Sequence, residues 1–277
     1  MISSMTRICR FQLSRRLERP IPQPTLVSMG SYCPTGTMFS DISASITERP
    51  SYGVHILCAP VGAGKTTTTL RALQSLQDSR KISGAIHISW RHVIDSGLID
   101  KPLKALKSAM EIHPNEPSLG LNPLFPKPLH CTHCPAVIFI EQFDHSLLTD
   151  NLKSFLVSLA EESVFEKRYT VIICTSSPAK ALTLHGLNGK TKFGLITHEP
   201  VRYQWPNVSI KHLVAQLGDL KHLDANTRSR LLEAFYMVGT PGFVLDNYYS
   251  DPSSVDLIVR DAESKKNDWV QLQGAAS

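Results

Sequence analysis

The sequence has no run of apolar residues long enough to cross a membrane. A membrane-spanning helix needs about 18 or more predominantly apolar residues in succession, whereas apolar runs here, such as residues 136–140, are far shorter. We therefore expect no membrane span. With 42% hydrophobic and 19% charged residues among 277, the chain is instead typical of a globular protein with one α/β domain and a small appendage.

The cysteines form no disulfide or metal framework that the sequence makes evident. Only one C-x-x-C pair occurs, Cys131 with Cys134, although the sequence contains six cysteines. A structural zinc site needs four ligands, which His130 or His133 would have to help supply. The pair therefore has two interpretations, a metal site or a polar loop before a strand, and we favour the loop. The scatter of cysteines indicates a reducing, intracellular compartment.

Strong positive charge is also missing, since the net charge is only +5 and no dense Lys/Arg run accompanies aromatic residues. Nucleic-acid binding is therefore not indicated.

Arginine is nevertheless concentrated near the N-terminus, where Glu18 is the only acid in residues 1–40. This bias is typical of a mitochondrial presequence and equally of a disordered basic tail, which leaves the mitochondrial matrix and the cytoplasm as alternative locations. We predict that residues 1–45 lie outside the folded core.

The stretch "APVGAGKTTTTL", residues 59–70, has the pattern of a phosphate-binding loop. An apolar run, Val54 to Cys58, precedes it and predicts a buried strand, while leucines at helical spacing follow it. A phosphate-binding loop works between such a strand and such a helix. Ala59 replaces the first glycine of the usual pattern, at a position that needs a small residue more than it needs glycine.

The predicted loop supplies the groups that bind a nucleoside triphosphate. Its backbone N–H groups and the N-terminus of the following helix would surround the phosphates. Lys65 would reach the β- and γ-phosphates, and the Thr66 hydroxyl would bind Mg²⁺. The predicted nucleotide-binding residues are Pro60, Val61, Gly62, Ala63, Gly64, Lys65, Thr66 and Thr67.

A second buried strand, predicted in "AVIFIEQFD" (residues 136–144), ends in acidic residues. In P-loop ATPases a carboxylate at this place lies close enough to Mg²⁺ to hold the ion through water, and Glu141 occupies it here. The next residue, Gln142, can hydrogen-bond the attacking water but cannot accept its proton. Gln142 alone would therefore predict slow hydrolysis.

Further elements follow along the chain. A third apolar strand, "YTVIICTSS" (residues 169–177), ends in hydroxyl residues, and a short strand follows at "FGLITHEPV". The last part of the chain, which contains "VGTPGFVL", predicts helices. Between residues 113 and 135 six prolines predict a long surface loop.

Together these motifs resemble the AAA+/STAND branch of the P-loop NTPases. The string "IEQFD" is similar to the "DQFE" variant of STAND ATPases, and "VGTPGFVL" is similar to the segment that opens their C-terminal lid helix. The resemblance implies ATP as the nucleotide and an α/β, three-layer fold with a parallel five-stranded sheet in the order 5-1-4-3-2. It also implies a P-loop NTPase core at residues 46–201, a helical lid at 202–261 and a flexible tail at 262–277.

The resemblance assigns roles to the polar residues at the strand ends. Asp144 is the candidate base in this pattern, with a helix cap or turn residue as the alternative. Thr175 or Ser176 takes the sensor-1 place, where a polar residue contacts the γ-phosphate or its water. No arginine lies in a diagnostic motif, and Arg202 is the first candidate for an arginine finger. The predicted catalytic residues are Glu141, Asp144, Thr175 and Ser176, and the predicted Mg²⁺ ligands are Thr66 and Glu141.

Two functions follow from this resemblance. The first, which we favour, is an ATPase that couples hydrolysis to a conformational change within a homo-oligomer or with a protein partner. The second is a nucleotide-binding switch that hydrolyses slowly or not at all and signals through its bound state. A small-molecule kinase is less favoured, because such kinases place their lid between core strands.

Overall fold

The structure of the protein is a computed structural model in which strands alternate with helices. It describes residues 15–18, 21, 36–48, 53–59, 63–95, 101–110, 121, 125, 134–187, 193–197, 223–238, 244, 248 and 251–276. The strands are β1 (Val54–Cys58), β2 (Gly84–Ser89), β3 (Ala136–Glu141), β4 (Tyr169–Thr175) and β5 (Phe193–Thr197). The helices are α1 (Gly36–Thr47), α2 (Lys65–Asp78), α3 (Trp90–Asp95), α4 (Pro102–Ala109), α5 (Asp150–Glu166), α6 (Pro178–His185), α7 (Ala225–Val238) and α8 (Val255–Ala276), with short 3₁₀ turns at Phe143–His145 and Pro252–Ser254.

The five strands form one parallel sheet in the order β2-β3-β4-β1-β5. This confirms the predicted strand order and the predicted α/β class. Every residue of β1 and β4 is buried, as expected for parallel strands covered on both faces. The register pairs Cys58 with Thr175 and Ser89 with Glu141. The carboxyl ends of the strands that carry the predicted motifs therefore meet at one edge of the sheet.

Helices cover both faces of this sheet. One face packs against α4, α5 and α6, which contribute Leu106, Leu156 and Leu184 to the core, and the other face packs against α1 and α2, which contribute Ile42 and Leu73. Each fully buried side chain of this size contributes roughly 1.5–3 kcal/mol relative to an exposed one. The predicted three-layer arrangement is confirmed.

Part of the N-terminal segment belongs to the packed structure, contrary to the prediction for residues 1–45. Helix α1 packs on α2, with Met38, Ile42 and Ile46 buried. Leu17 is buried too, and a Cβ on Gly84 would lie 2.3 Å from the carbonyl oxygen of Leu17. The charge bias of this segment concealed the four-residue spacing of the apolar residues of α1, which marks an amphipathic helix. The presequence interpretation stays a prediction, and most of residues 1–35 lie outside the described residues.

The C-terminal helices have a small core of their own. Leu231 and Phe235 of α7 pack with Ile258 and Ala262 of α8, and α8 also contacts α6. Helix α8 continues to Ala276, whereas the sequence predicted a flexible tail from residue 262. Polar composition there is compatible with a helix that lies on the surface. Most of the predicted lid, including residues 202–222, lies outside the described residues, so the lid stays a prediction.

Two residues of the predicted proline-rich loop are anchored in the core. Leu121 and Phe125 are buried, and the Phe125 ring lies 4.9 Å from the Tyr169 ring. Arg168 Nη1 donates a hydrogen bond to the Phe125 carbonyl oxygen at 3.3 Å. Both contacts lie at the N-terminal end of β4, away from Thr175. Phe125 is thus held at the end of the sheet opposite the predicted site.

One cysteine of the C-x-x-C pair lies within the described residues. Cys134 donates a hydrogen bond to the Arg80 carbonyl oxygen at 2.9 Å, while Cys131 lies outside the described residues. Within the described ranges, no group of three or more His, Cys, Asp or Glu residues could hold a metal ion. A search of the same ranges finds no helix with the length and apolarity of a membrane span.

Candidate nucleotide-binding site

The predicted phosphate-binding loop lies between β1 and α2. Gly64 has φ 76°, a left-handed conformation that favours glycine, and it accepts the hydrogen bond from Thr68 N–H that starts α2 at 2.8 Å. Ala59 and Ala63, on either side of the loop, are buried. Pro60, Val61 and Gly62 lie outside the described residues. The order of strand, turn and helix is as predicted.

Lys65 is held by two polar groups on neighbouring strand ends. Its Nζ donates hydrogen bonds to the Ala59 carbonyl oxygen at 2.8 Å and to Ser176 Oγ at 2.7 Å. Burial lowers the pKa of Lys65, and the nearby Asp144 carboxylate acts in the opposite direction. An anion beside Nζ would favour the charged form further. The site thus presents a desolvated ammonium group next to a helix N-terminus, a combination that suits a phosphate.

Asp144 joins the end of β3 to the turn that follows β4. Its Oδ1 accepts hydrogen bonds from Thr175 Oγ1 at 2.5 Å, Ser176 N–H at 2.6 Å and Ser177 N–H at 3.0 Å. The second oxygen, Oδ2, forms no hydrogen bond within the described residues. The structure therefore brings Asp144, Thr175, Ser176 and Lys65 into one hydrogen-bonded cluster.

Burial and nearby charged groups both act on the pKa of the Cys174 thiol. Burial raises the pKa of Cys174 to about 12, Lys65 opposes this change, and Glu141 and Asp144 act in the same direction as burial. Cys174 is consequently a neutral thiol and a small core residue.

Glu141 and Gln142 contact strand β2. Glu141 Oε1 lies 3.2 Å from His87 Nε2, and His87 stacks on Phe139 with ring centroids 5.0 Å apart. Gln142 has φ 56° and accepts a hydrogen bond from Ser89 Oγ at 2.9 Å. Glu141 therefore lies on the face of the sheet that α2 covers, because side chains alternate along a strand and Phe139 packs on that face.

Sequence reasoning missed Lys180, His87 and Ser89. Lys180, in the first turn of α6, donates hydrogen bonds to the carbonyl oxygens of Asp144 and Ser146. No sequence motif marks these residues, although His87 and Ser89 interrupt the apolar residues of β2 at alternate positions. This alternation was the one signal available, since it places both side chains on the same face of the strand.

The deciding observation is the position of β1 in the sheet. The strand that leads into the phosphate-binding loop lies between β4 and β5, and the acidic strand β3 lies on the far side of β4. The chain thus has the α/β fold and the strand order expected from its resemblance to the AAA+ branch of the P-loop NTPases. No family model and no curated protein matches its sequence.

Solved structures with a similar fold are distant in sequence. A Walker-type ATPase of Pyrococcus abyssi is 13% identical over 88% of this chain and 75% of its own, with a TM-score of 0.47. Domain III of the replication initiation protein DnaA of Thermotoga maritima is 12% identical, over 87% and 98%, with a TM-score of 0.43. Cdc6p of Pyrobaculum aerophilum is 12% identical, over 91% and 66%, with a TM-score of 0.44.

Proposed function

We propose that the protein binds ATP with Mg²⁺, hydrolyses it, and couples the nucleotide state to a conformational change. The observation that carries the proposal is Lys65, which lies at the N-terminus of α2 and is held there by Ala59 and Ser176. Backbone N–H groups of residues 60–67 would bind the phosphates beside it. The sensor-1 role falls to Ser176, because this residue already contacts the lysine that would meet the γ-phosphate.

The residues present fit a magnesium ion. The Thr66 hydroxyl follows Lys65 at the start of α2, and the Glu141 carboxylate ends β3; both supply oxygen ligands of the kind that Mg²⁺ prefers. When bound, Mg²⁺ would neutralise charge that develops on the phosphates. Glu141 would hold the ion through water from its place at the end of β3.

Asp144 would serve two purposes with its two carboxylate oxygens. Oδ1 is engaged by three donors from residues 175–177, so it orders the turn that carries Ser176. Oδ2 is then the oxygen left to take a proton from the attacking water. This division combines the base role with the alternative role of Asp144 as a turn residue.

A nucleotide-binding switch with poor hydrolysis is the second candidate. The observation that favours it is Gln142, which holds the place of the usual acid and is bound to Ser89. In this case the bound nucleotide, rather than its turnover, would signal to a protein partner or a second copy of the chain. Steady-state ATP turnover by the full chain, measured beside ATP affinity, separates the two functions, because tight binding without turnover would leave only the switch.

Replacing Glu141 with Ala should weaken ATP binding in the presence of Mg²⁺ and lower turnover together. Metal and triphosphate bind as a unit, so we expect about a tenfold loss of affinity with Mg²⁺, equal to about 1.4 kcal/mol, and a much smaller loss in EDTA. Glu161→Ala, an exposed glutamate on α5, is the matched control and should bind as the wild type does. Equal losses with and without Mg²⁺ would contradict the metal role.

Replacing Gln142 with Glu tests whether the wild type lacks a base. If Gln142 limits turnover, the added carboxylate should raise the rate. Since Asp144 is proposed as the base, we expect no increase in turnover. If the added carboxylate lies close to the metal, its negative charge should lower turnover. Steady-state hydrolysis at saturating ATP makes the measurement, and a clear rise in rate would rule Asp144 out as the base.

A further inference from the structure

Lys180 lies where a lysine is electrostatically unfavourable for its own helix. It is in the first turn of α6, near the positive end of the helix dipole, which favours acidic residues instead. Its side chain is half-buried and reaches back to the segment that follows β3, where Nζ donates hydrogen bonds to the carbonyl oxygens of Asp144 and Ser146, the latter at 2.8 Å. Burial lowers the pKa of Lys180, while Asp144 opposes that change.

Two links in opposite directions therefore join the ends of β3 and β4. From β3, the Asp144 carboxylate accepts the N–H groups of Ser176 and Ser177. From α6, the Lys180 ammonium group reaches the backbone of residues 144–146. Ser177 Oγ also accepts the N–H of Lys180 at 3.3 Å, which fixes the first turn of α6 to the same segment.

This double link determines where Ser176 lies. Ser176 Oγ accepts the hydrogen bond from Lys65 Nζ at 2.7 Å, and its N–H is held by Asp144 at 2.6 Å. If the backbone of residues 144–146 shifts, Asp144 Oδ1 moves with it, and so does the turn that presents Ser176. Lys180 is the side chain that ties this backbone to α6.

We propose that Lys180 is a positioning residue of the nucleotide site, which holds the loop after β3 so that Asp144 and Ser176 keep their places around Lys65. The inference rests on the proposed function for its chemical outcome, whereas the link itself joins protein groups only. Lys180 donates to carbonyl oxygens and binds no phosphate in this arrangement. Its removal should therefore affect turnover more than nucleotide affinity.

The test compares three variants of the full chain by ATP affinity and turnover. Lys180→Met keeps the length of the side chain but removes both hydrogen bonds that Nζ donates. Lys180→Arg keeps a charged donor. Lys153→Met removes a partly exposed lysine on α5 and is the control. We expect Lys180→Met to lower kcat by about 10- to 100-fold, as misplacement of reacting groups does, with Kd for ATP changed by less than about threefold. Lys180→Arg should recover part of kcat, and Lys153→Met should match the wild type.

Hydrogen exchange of the nucleotide-free protein tests the link without ATP. The amide hydrogens of Ser176 and Ser177 donate to Asp144, so they should exchange faster in Lys180→Met than in Lys153→Met. Unchanged exchange at both amides would overturn the positioning role. A rise in Kd for ATP by the same factor as the fall in kcat, together with a lower melting temperature in Lys180→Met, would overturn it too. If instead the wild type binds no ATP while these amides respond to Lys180→Met, the positioning role stands and the proposed function fails.

Discussion

ATP binding by Lys65→Ala should be weaker than that of the wild type by at least about tenfold, or about 1.4 kcal/mol. Among the described residues, Lys65 is the cation whose Nζ donates hydrogen bonds to Ala59 and Ser176, at the ends of β1 and β4. The variant removes this cation. Because burial already disfavours the charged ammonium group, a phosphate beside Nζ would gain a partner that water screens poorly. Titration calorimetry or fluorescence with a labelled ATP analogue measures this difference.

Two controls make the Lys65 result specific. Lys153→Ala removes a lysine of the same charge whose Nζ pairs with the exposed Asp150 at 3.1 Å, and its affinity should stay that of the wild type. The melting temperature of Lys65→Ala should change little, because a desolvated charge is lost together with its hydrogen bonds to Ala59 and Ser176. Wild-type affinity in Lys65→Ala, with an unaltered melting temperature, would mean that the loop is a structural turn.

Turnover by Asp144→Asn should fall about 10² to 10⁴-fold while ATP affinity stays close to that of the wild type. Asparagine keeps an oxygen that can accept the hydrogen bonds from Thr175, Ser176 and Ser177, but it cannot take the proton of the attacking water. The expected factor is that of a positioned base. Single-turnover hydrolysis with saturating protein measures the chemical step, and ATP titration measures binding separately.

Comparison of Asp144→Ala with Asp144→Asn distinguishes the roles proposed for the two carboxylate oxygens. This variant also removes the acceptor of the three hydrogen bonds, so Ser176 loses its anchor and the contact with Lys65 weakens. We expect the same loss of turnover together with a loss of ATP affinity and of stability, since the hydrogen bonds that Thr175 and Ser176 donate to Asp144 are lost. Asp150→Asn, an exposed acid at the start of α5, should behave as the wild type. Wild-type turnover in Asp144→Asn would show that Asp144 only orders the turn.

Local patterns were enough to locate the elements that carry the site. The apolar runs of β1, β3 and β4 became buried parallel strands, and the leucines at helical spacing in α2 are buried against the sheet. These predictions depend on residues close together in sequence, whose spacing follows from the geometry of a strand or helix. The strand order came from the resemblance to AAA+/STAND proteins, because no periodicity reveals which strands are neighbours.

The same local patterns failed where composition hid packing. Residues 36–45 were included in a basic segment outside the core, but Met38 and Ile42 of α1 are buried. The polar end of the chain was predicted to be flexible, yet α8 continues to Ala276. Helix α1 buries one narrow stripe and leaves much of its surface to solvent, so its average composition resembles that of a tail.

By itself, the sequence determined which chemical groups the site contains: a lysine and threonines at the start of a helix, and acids and hydroxyls at two strand ends. Only the tertiary structure decided how these groups are paired. Asp144 and Thr175 are 31 positions apart and Lys65 and Ser176 are 111 positions apart, and Lys180 reaches the backbone of residues 144–146 from the next helix. Such pairings depend on strand register and on where each strand ends in the sheet, and both are set by packing between distant segments.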